Sequence, residues 1–224
     1  MTEQPCAGLP PHSAFFRRIV PYVMRFLLLL LTRFEVRGVE NIPREGRAIL
    51  ASNHLGHIDP LLGAAVVPRP CEAIALVDLL DVPGTGQVMR WYGAIPVHRD
   101  VFDRDVIRQA LTVLNCERLL WLAPEAQMSK TGALMKARDG VAWLAARSEA
   151  PVVPIAFTGT ENVYDEWRRF RRPRLTVTFG EPLRLEVPAH GGRGARTAAI
   201  EANTETIMRA IAALLPPKYR GVYG

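Results

Sequence analysis

The chain has little of what builds several common architectures. Its 224 residues include only three cysteines, Cys6, Cys71 and Cys116. They are isolated, with no CxxC pair and no histidine at ligand spacing, so neither a disulfide framework nor a zinc site is expected. Three free thiols in a reducing cytosol are expected. Long apolar runs are missing too. No uninterrupted apolar stretch is longer than residues 26–31, and these fall far short of the ~18–20 residues that cross a bilayer core. Arg25 splits that hydrophobic region and no small-x-small cleavage site follows, which argues against a secretory signal. No GxSxG elbow presents a serine nucleophile, and there is no internal repeat. With 49% apolar and 22% charged residues the composition is that of a globular protein, not a disordered chain. The 28 Lys plus Arg against 22 Asp plus Glu leave a net charge of +6, which favours anionic partners.

What is present begins with a greasy, basic start. Residues 14–34 read AFFRRIVPYVMRFLLLLLTRF. On a helix, Phe16, Ile19, Val20, Val23, Leu27, Leu30 and Leu31 share one broad face. Arg18, Arg25 and Thr32 recur every seven residues on the other. Pro21 is expected to break or restart this helix. An apolar face flanked by arginines suits an interfacial helix, with guanidinium groups at lipid phosphates; the competing reading is an ordinary helix docked on the core. Residues 1–33 are therefore read as a membrane-associating segment and residues 34–224 as one domain.

Beyond Arg33 the pattern alternates. Short apolar or alternating runs at 34–39, 48–51, 71–77, 93–98, 118–122, 151–157 and 174–179 read as strands. Helical periods occupy 60–67, 84–91, 100–116, 137–146 and 196–215. Residues 190–196, rich in Gly and Arg, read as a flexible loop. Interleaved strands and helices predict an α/β fold: a single layered domain with a central mixed sheet flanked by helices.

The chemistry centres on Ser52-Asn53-His54-Leu55-Gly56-His57-Ile58-Asp59-Pro60, which follows a buried strand. Asp then Pro marks a helix start, with Asp59 as cap and Pro60 in the first turn. In a continuous helix His54 and Asp59 would point about 140° apart, so only a turn brings them together. A carboxylate on one imidazole nitrogen fixes the tautomer and raises the basicity of the other, the arrangement of a general base acting on a hydroxyl. His57, two residues from Asp59, is the rival and pairs less easily. Further strand ends carry His98 and Arg99, then Pro124-Glu125 followed by Ser129 and Lys130, then Pro154. In open α/β sheets, ligands bind at strand ends.

In this order, NHxxxxD (53–59), GxIPVxR (93–99), a PE-x-x-x-S segment (124–129) and VPI (153–155) resemble the glycerolipid acyltransferases, especially the 1-acylglycerol-3-phosphate acyltransferases. The opening FEVRGVENIP resembles the strand before their first motif, so the likeness spans about residues 34–158. It implies transfer of a fatty acyl group from a thioester, acyl-CoA or an acyl carrier protein, to the hydroxyl of a lysophospholipid such as 1-acylglycerol-3-phosphate. His54 would be the base and Asp59 its orienting partner. The implied attack is direct, with no acyl-enzyme, metal or resident cofactor. Arg99 would bind acceptor phosphate, for which a guanidinium fork is suited. Glu125, Ser129 and Lys130 would contribute to acceptor binding, and Pro154 would have a structural or acyl-site role.

One block departs from the family. Its third motif usually reads E-G-T-R-S, and here it reads Glu125-Ala126-Gln127-Met128-Ser129. Met128 cannot pair with a phosphate. Either Arg99 with Lys130, Lys136 or Arg138 takes that role, or the acceptor is a phosphate-free lipid. A non-catalytic lipid-binding protein on the same scaffold is the reading from another class. Residues 167–174 (WRRFRRPR) form a second basic patch, suited to anionic headgroups, an acidic donor or stacked RNA; lipid or donor steering ranks first, and no nucleic-acid partner is expected. The location that follows is cytoplasmic, peripheral on the membrane.

Overall fold

The computed structural model describes residues 11–77, 85–97, 104–186 and 192–224. Seven strands form one sheet: β1 (Arg33–Arg37), β2 (Ala48–Ser52), β3 (Cys71–Leu76), β4 (Ile95–Val97), β5 (Leu119–Leu122), β6 (Val152–Thr158) and β7 (Arg174–Phe179). Their order is β1-β7-β6-β2-β5-β3-β4. Five run parallel, while β7 is antiparallel to β6 and carries β1 parallel to itself. The sheet is therefore mixed, as the alternating pattern implied. The continuous apolar runs of β2 and β6 occupy its centre, where both faces are covered and nearly every side chain is buried.

Helices cover both faces: α1 (Pro11–Leu31), α2 (Asp59–Val66), α3 (Thr85–Tyr92), α4 (Arg104–Asn115), α5 (Gly140–Ser148), α6 (Val163–Arg168) and α7 (Arg193–Leu214). One core layer joins Ile49, Leu120, Val152 and Ala156 to α4, α5 and α7 through Leu114, Leu144, Met208 and Ile211. The other joins Leu50, Leu119, Val153 and Phe157 to α1 and α2 through Leu28 and Leu62. α2 lies so close to β5 that a Cβ on Gly63 would fall inside the Trp121 ring.

Several sequence expectations need correction. Pro21 does not break the first helix; α1 runs through it for 21 residues. Proline removes only one internal hydrogen bond, and α1 is held from outside by packing on α2 and α3 and by buried Arg17. The helix buries Arg17, Leu28 and Thr32, not the face drawn through Phe16 and Leu30. Thr32, assigned to the solvent side, gives its hydroxyl proton to the Leu28 carbonyl at 2.6 Å. The fifth helix starts at Gly140, not at 137; residues 137–139 lead into it as irregular chain and a turn. Residues 193–196, read as loop, form the first turn of α7, and the short helix α6 (Val163–Arg168) leads into the basic patch at 167–174. Cys71 is a free thiol whose pKa burial pushes up. Cys116 is disulfide-bonded, against the expectation of three free thiols; spacing along a chain carries no record of which distant thiols meet.

Candidate active site

β2 ends at Ser52 and the chain turns through Asn53–Ile58 into α2 at Asp59. Asn53 holds the start of this turn. Its Nδ2 donates to the Phe157 carbonyl at 3.0 Å, and its Oδ1 accepts from the Phe157 amide at 2.7 Å. The side chain thus continues the β2–β6 ladder by one rung. Gly56 seats the turn against the segment after β6: a Cβ there would lie 2.4 Å from the Thr160 carbonyl. A third tie comes from the Ser129 amide, which donates to the His54 carbonyl at 2.7 Å.

Asp59 does not act as the expected cap. It is the first helical residue, and Ile58 occupies the cap position without a side-chain bond. Its carboxylate bends back instead. Oδ2 accepts from the amides of Leu55 at 2.8 Å and Gly56 at 2.9 Å, and meets His54 Nδ1 at 2.8 Å. Both side chains are thus fixed, the Asp59 carboxylate at 3% exposure and the imidazole at 29%. With Nδ1–H donated to Asp59, Nε2 carries the free lone pair. His54 and Asp59 are therefore brought together; His57 is exposed.

Glu125 stands close to the same turn and is 2% exposed. Its Oε2 accepts from the Met135 amide at 2.8 Å, while Oε1 is buried with no partner. Burial pushes its pKa up to about 7, against the backbone amides of Met135 and His54. Ser129 is buried and closes its own loop, donating to the Ala133 carbonyl at 2.6 Å. Lys130 points into solvent. Pro154 is buried in β6 opposite Ala51, and its carbonyl accepts from Gly180 at 2.8 Å. Its place is in the sheet, one strand residue removed from Ser52 in register. Arg99 and His98 lie outside the described residues.

Sequence reasoning missed the structural part of Asn53 and of the Leu55 and Gly56 amides. The available signal was an Asn directly after an apolar strand. It also missed a small apolar cleft of about 260 Å³ beside Pro124 and Ala126, lined by Val97, Leu122, Val141 and the Arg138 side of the chain. Among the described residues, no group of three or more His, Cys, Asp or Glu is arranged to hold a metal.

Comparisons with known proteins identify the family and the fold. A family model described as Acyltransferase matches residues 33–158. The 1-acyl-sn-glycerol-3-phosphate acyltransferase alpha of Ovis aries is 27% identical over 173 residues, 73% of this chain and 60% of that protein. An uncharacterized protein of Mycobacterium tuberculosis is 30% identical over 169 residues, 70% of this chain and 45% of that one. The chain spans about 60% of the length of the mammalian relatives it matches. The crystal structure of the 1-acyl-sn-glycerophosphate acyltransferase from Thermotoga maritima superposes with a TM-score of 0.66 at 20% identity, covering 87% of this chain and 79% of that one, which establishes the shared fold. With more than half of its length matched and the four motif blocks in order, the chain belongs to the glycerolipid acyltransferase family.

Proposed function

We propose that the chain moves a fatty acyl group from a thioester donor, acyl-CoA or an acyl carrier protein, to a hydroxyl of a lysophospholipid such as 1-acylglycerol-3-phosphate. The observation that carries this reading is the triple acceptance at Asp59 Oδ2, which fixes His54 with Nε2 open. In the proposed reaction the acceptor oxygen attacks the thioester carbonyl while Nε2 takes its proton. The tetrahedral intermediate then collapses, the C–S bond breaks, and the imidazolium returns the proton to the departing thiolate. Asp59 holds the ring and stabilises its charged form. The thioester is already activated, so the transfer needs no resident cofactor or metal.

In this reading Glu125 and Ser129 shape the acceptor site, and Arg99 and Lys130 meet the phosphate. Pro154 keeps the floor of the sheet in register. Residues 34–224 form the catalytic domain and residues 1–33 contact the bilayer. No helix among the described residues is long and apolar enough to cross a membrane. The face of α1 turned away from the domain carries exposed Phe15, Tyr22, Phe26, Leu29 and Leu30. That supports a peripheral seat on lipid at the cytoplasmic side. A phosphate-free lipid acceptor is the second reading, favoured by half-buried Met128 at the position where the family carries arginine.

The test is thiol release from acyl-CoA and, separately, from an acyl carrier protein thioester. The acceptor panel contains 1-acylglycerol-3-phosphate, other lysophospholipids and phosphate-free lipid alcohols, with His54→Ala beside the wild type. Acceptor-dependent release that falls by about 100-fold or more in the variant supports base catalysis, and the best acceptor identifies the headgroup. Folded, vesicle-binding protein that turns over neither donor with any acceptor replaces the enzyme reading with the lipid-binding one.

A further inference from the structure

The loop that joins α6 to β7 is built in an unusual way. Phe170 is fully exposed, at 100% of its accessible surface. Its φ of 54° is in the left-handed region that disfavours every side chain and suits glycine. The loop is nevertheless closed by its own backbone. The Phe170 amide donates to the Trp167 carbonyl at 2.9 Å, and the Arg171 amide to the Glu166 carbonyl at 2.9 Å. The strained turn therefore aims an aromatic ring straight into solvent. Arg168, Arg169, Arg171, Arg172 and Arg174 surround it, all exposed. Among the described residues, Arg168 and Arg169 are engaged only by long pairs at 3.4 Å and 3.9 Å, with Asp165 and Glu166.

This loop is tied to the end of α1. Trp167 Nε1 donates to the Leu31 carbonyl at 3.0 Å, and Arg172 donates to the carbonyls of Thr32, at 2.6 Å, and Leu29. These bonds satisfy the open carbonyls of the helix C-terminus. They also make the loop continuous with exposed Phe26, Leu29, Leu30 and Leu31. The result is one surface with a leading aromatic, flanking aliphatics and a ring of guanidinium groups.

We propose that the α6–β7 loop, with Phe170 at its tip, is a second membrane-inserting element that seats on anionic lipid headgroups beside the end of α1. It rests on the peripheral-membrane reading above and adds where and how the catalytic domain itself is held. Lipid fits better than RNA because leucines continue the apolar surface, whereas stacked bases need aromatic faces. Trp167 is turned instead edge-on to Tyr164, at 5.8 Å and 86°. The position matters for the reaction. α6 begins shortly after Thr160, the residue that abuts Gly56 in the His54 turn. Docking of the loop therefore sets the height and tilt of His54 over the bilayer.

The experiment measures co-sedimentation of the full chain with two vesicles, phosphatidylcholine alone and phosphatidylcholine with about one third phosphatidylglycerol. Wild type is compared with Phe170→Gly and with Arg168→Glu/Arg169→Glu/Arg171→Glu, which spares Arg172 and its bonds to α1. Phe170→Gly is expected to bind both vesicles roughly five- to tenfold more weakly. Its melting temperature should be equal or higher, because glycine relieves the turn. The triple variant should lose on the order of 100-fold on anionic vesicles and little on neutral ones. Release of thiol with acceptor dispersed in detergent should stay within about twofold of wild type in both variants. Wild-type binding that neither variant weakens overturns the loop proposal alone and leaves α1 as the anchor. Loss of RNA oligonucleotide binding in the triple variant with vesicle binding intact also overturns it. A wild type that binds neither vesicle overturns it together with the membrane reading, and inactivity in detergent with the vesicle results intact sinks only the catalytic reading.

Discussion

Two buried carboxylates in this fold are each paired with a nitrogen-bearing side chain and do different work. Glu72 in β3 holds Arg17 of α1 through two bonds of 2.8 Å and 2.5 Å, with Arg118 at 3.5 Å. Arg17 also donates from Nε to the Tyr92 carbonyl at 2.5 Å and lies over the Tyr92 ring. Both side chains of that pair are sealed, at 4% and 6% exposure. Asp59 is equally sealed, yet the side chain of its partner His54 is 29% exposed. The closed pair uses up its donors and acceptors on the protein itself, so it fastens α1 to the sheet. In the half-open pair the imidazole Nε2 has no partner among the described residues, so this pair is the one able to act on something outside. Completeness of partnering, more than burial, separates a clamp from a candidate catalyst.

The comparison can be broken at either end. The largest effect is expected for Asp59→Asn and His54→Ala measured by thiol release. Both should lose about 100-fold or more in rate, and His54→Ala should leave urea unfolding nearly unchanged because its ring is partly exposed. A large loss of stability in His54→Ala would mean the open pair is a clamp too. Next comes Arg17→Ala, which leaves buried Glu72 with only the longer contact to partly exposed Arg118 and should cost about 3 kcal/mol in chemical denaturation. Replacing both members, Arg17→Met with Glu72→Leu, should restore most of that stability, since no charge is left unpaired. If the double variant is as unstable as the single one, the pair specifies geometry rather than merely avoiding a buried charge.

A smaller effect concerns Glu125, which is neither clamped nor paired with a cation. Its folded pKa, raised by burial to about 7, lies above the ordinary carboxylate value. Between about pH 4.5 and 7 the folded protein binds more protons at this site than the unfolded chain. Stability therefore falls as pH rises through that window, by up to about 3 kcal/mol. Glu125→Gln should flatten this slope in urea titrations from pH 4.5 to 8; an unchanged slope would assign it to another group.

Much of the architecture could be read from local pattern. The runs Ala48–Ser52 and Val152–Thr158 are apolar throughout because both faces are covered, and that is visible in one dimension. The meeting of His54 with Asp59 was legible because Asp-Pro fixes the helix start and leaves a turn between them. What stayed hidden depends on distant partners. Arg17 reads as a solvated charge on a greasy helix until Glu72, 55 residues away, comes to face it. The buried stripe of α1 is the one carrying that arginine, which no hydropathy pattern selects. Glu125 could be placed at a strand end, but its burial depends on Met135 returning over it. Phe170 looked like one more aromatic in a basic loop, and only backbone geometry shows it thrust outward.

The edge strand β1 pairs with β7, Arg33 against Arg174 and Arg37 against Thr178. About 140 residues separate the two. During synthesis at roughly 5–20 residues per second, β1 and the oily helix before it emerge some 7–30 seconds ahead of the strand that receives them. For roughly the first 2–8 seconds of that interval, until β3 is made, the helix is without its arginine clamp to the sheet, and throughout it the helix lacks the Arg172 and Trp167 bonds at its end. The order of translation therefore gives a nearby lipid surface or a chaperone first access to this helix, before the fold can claim it.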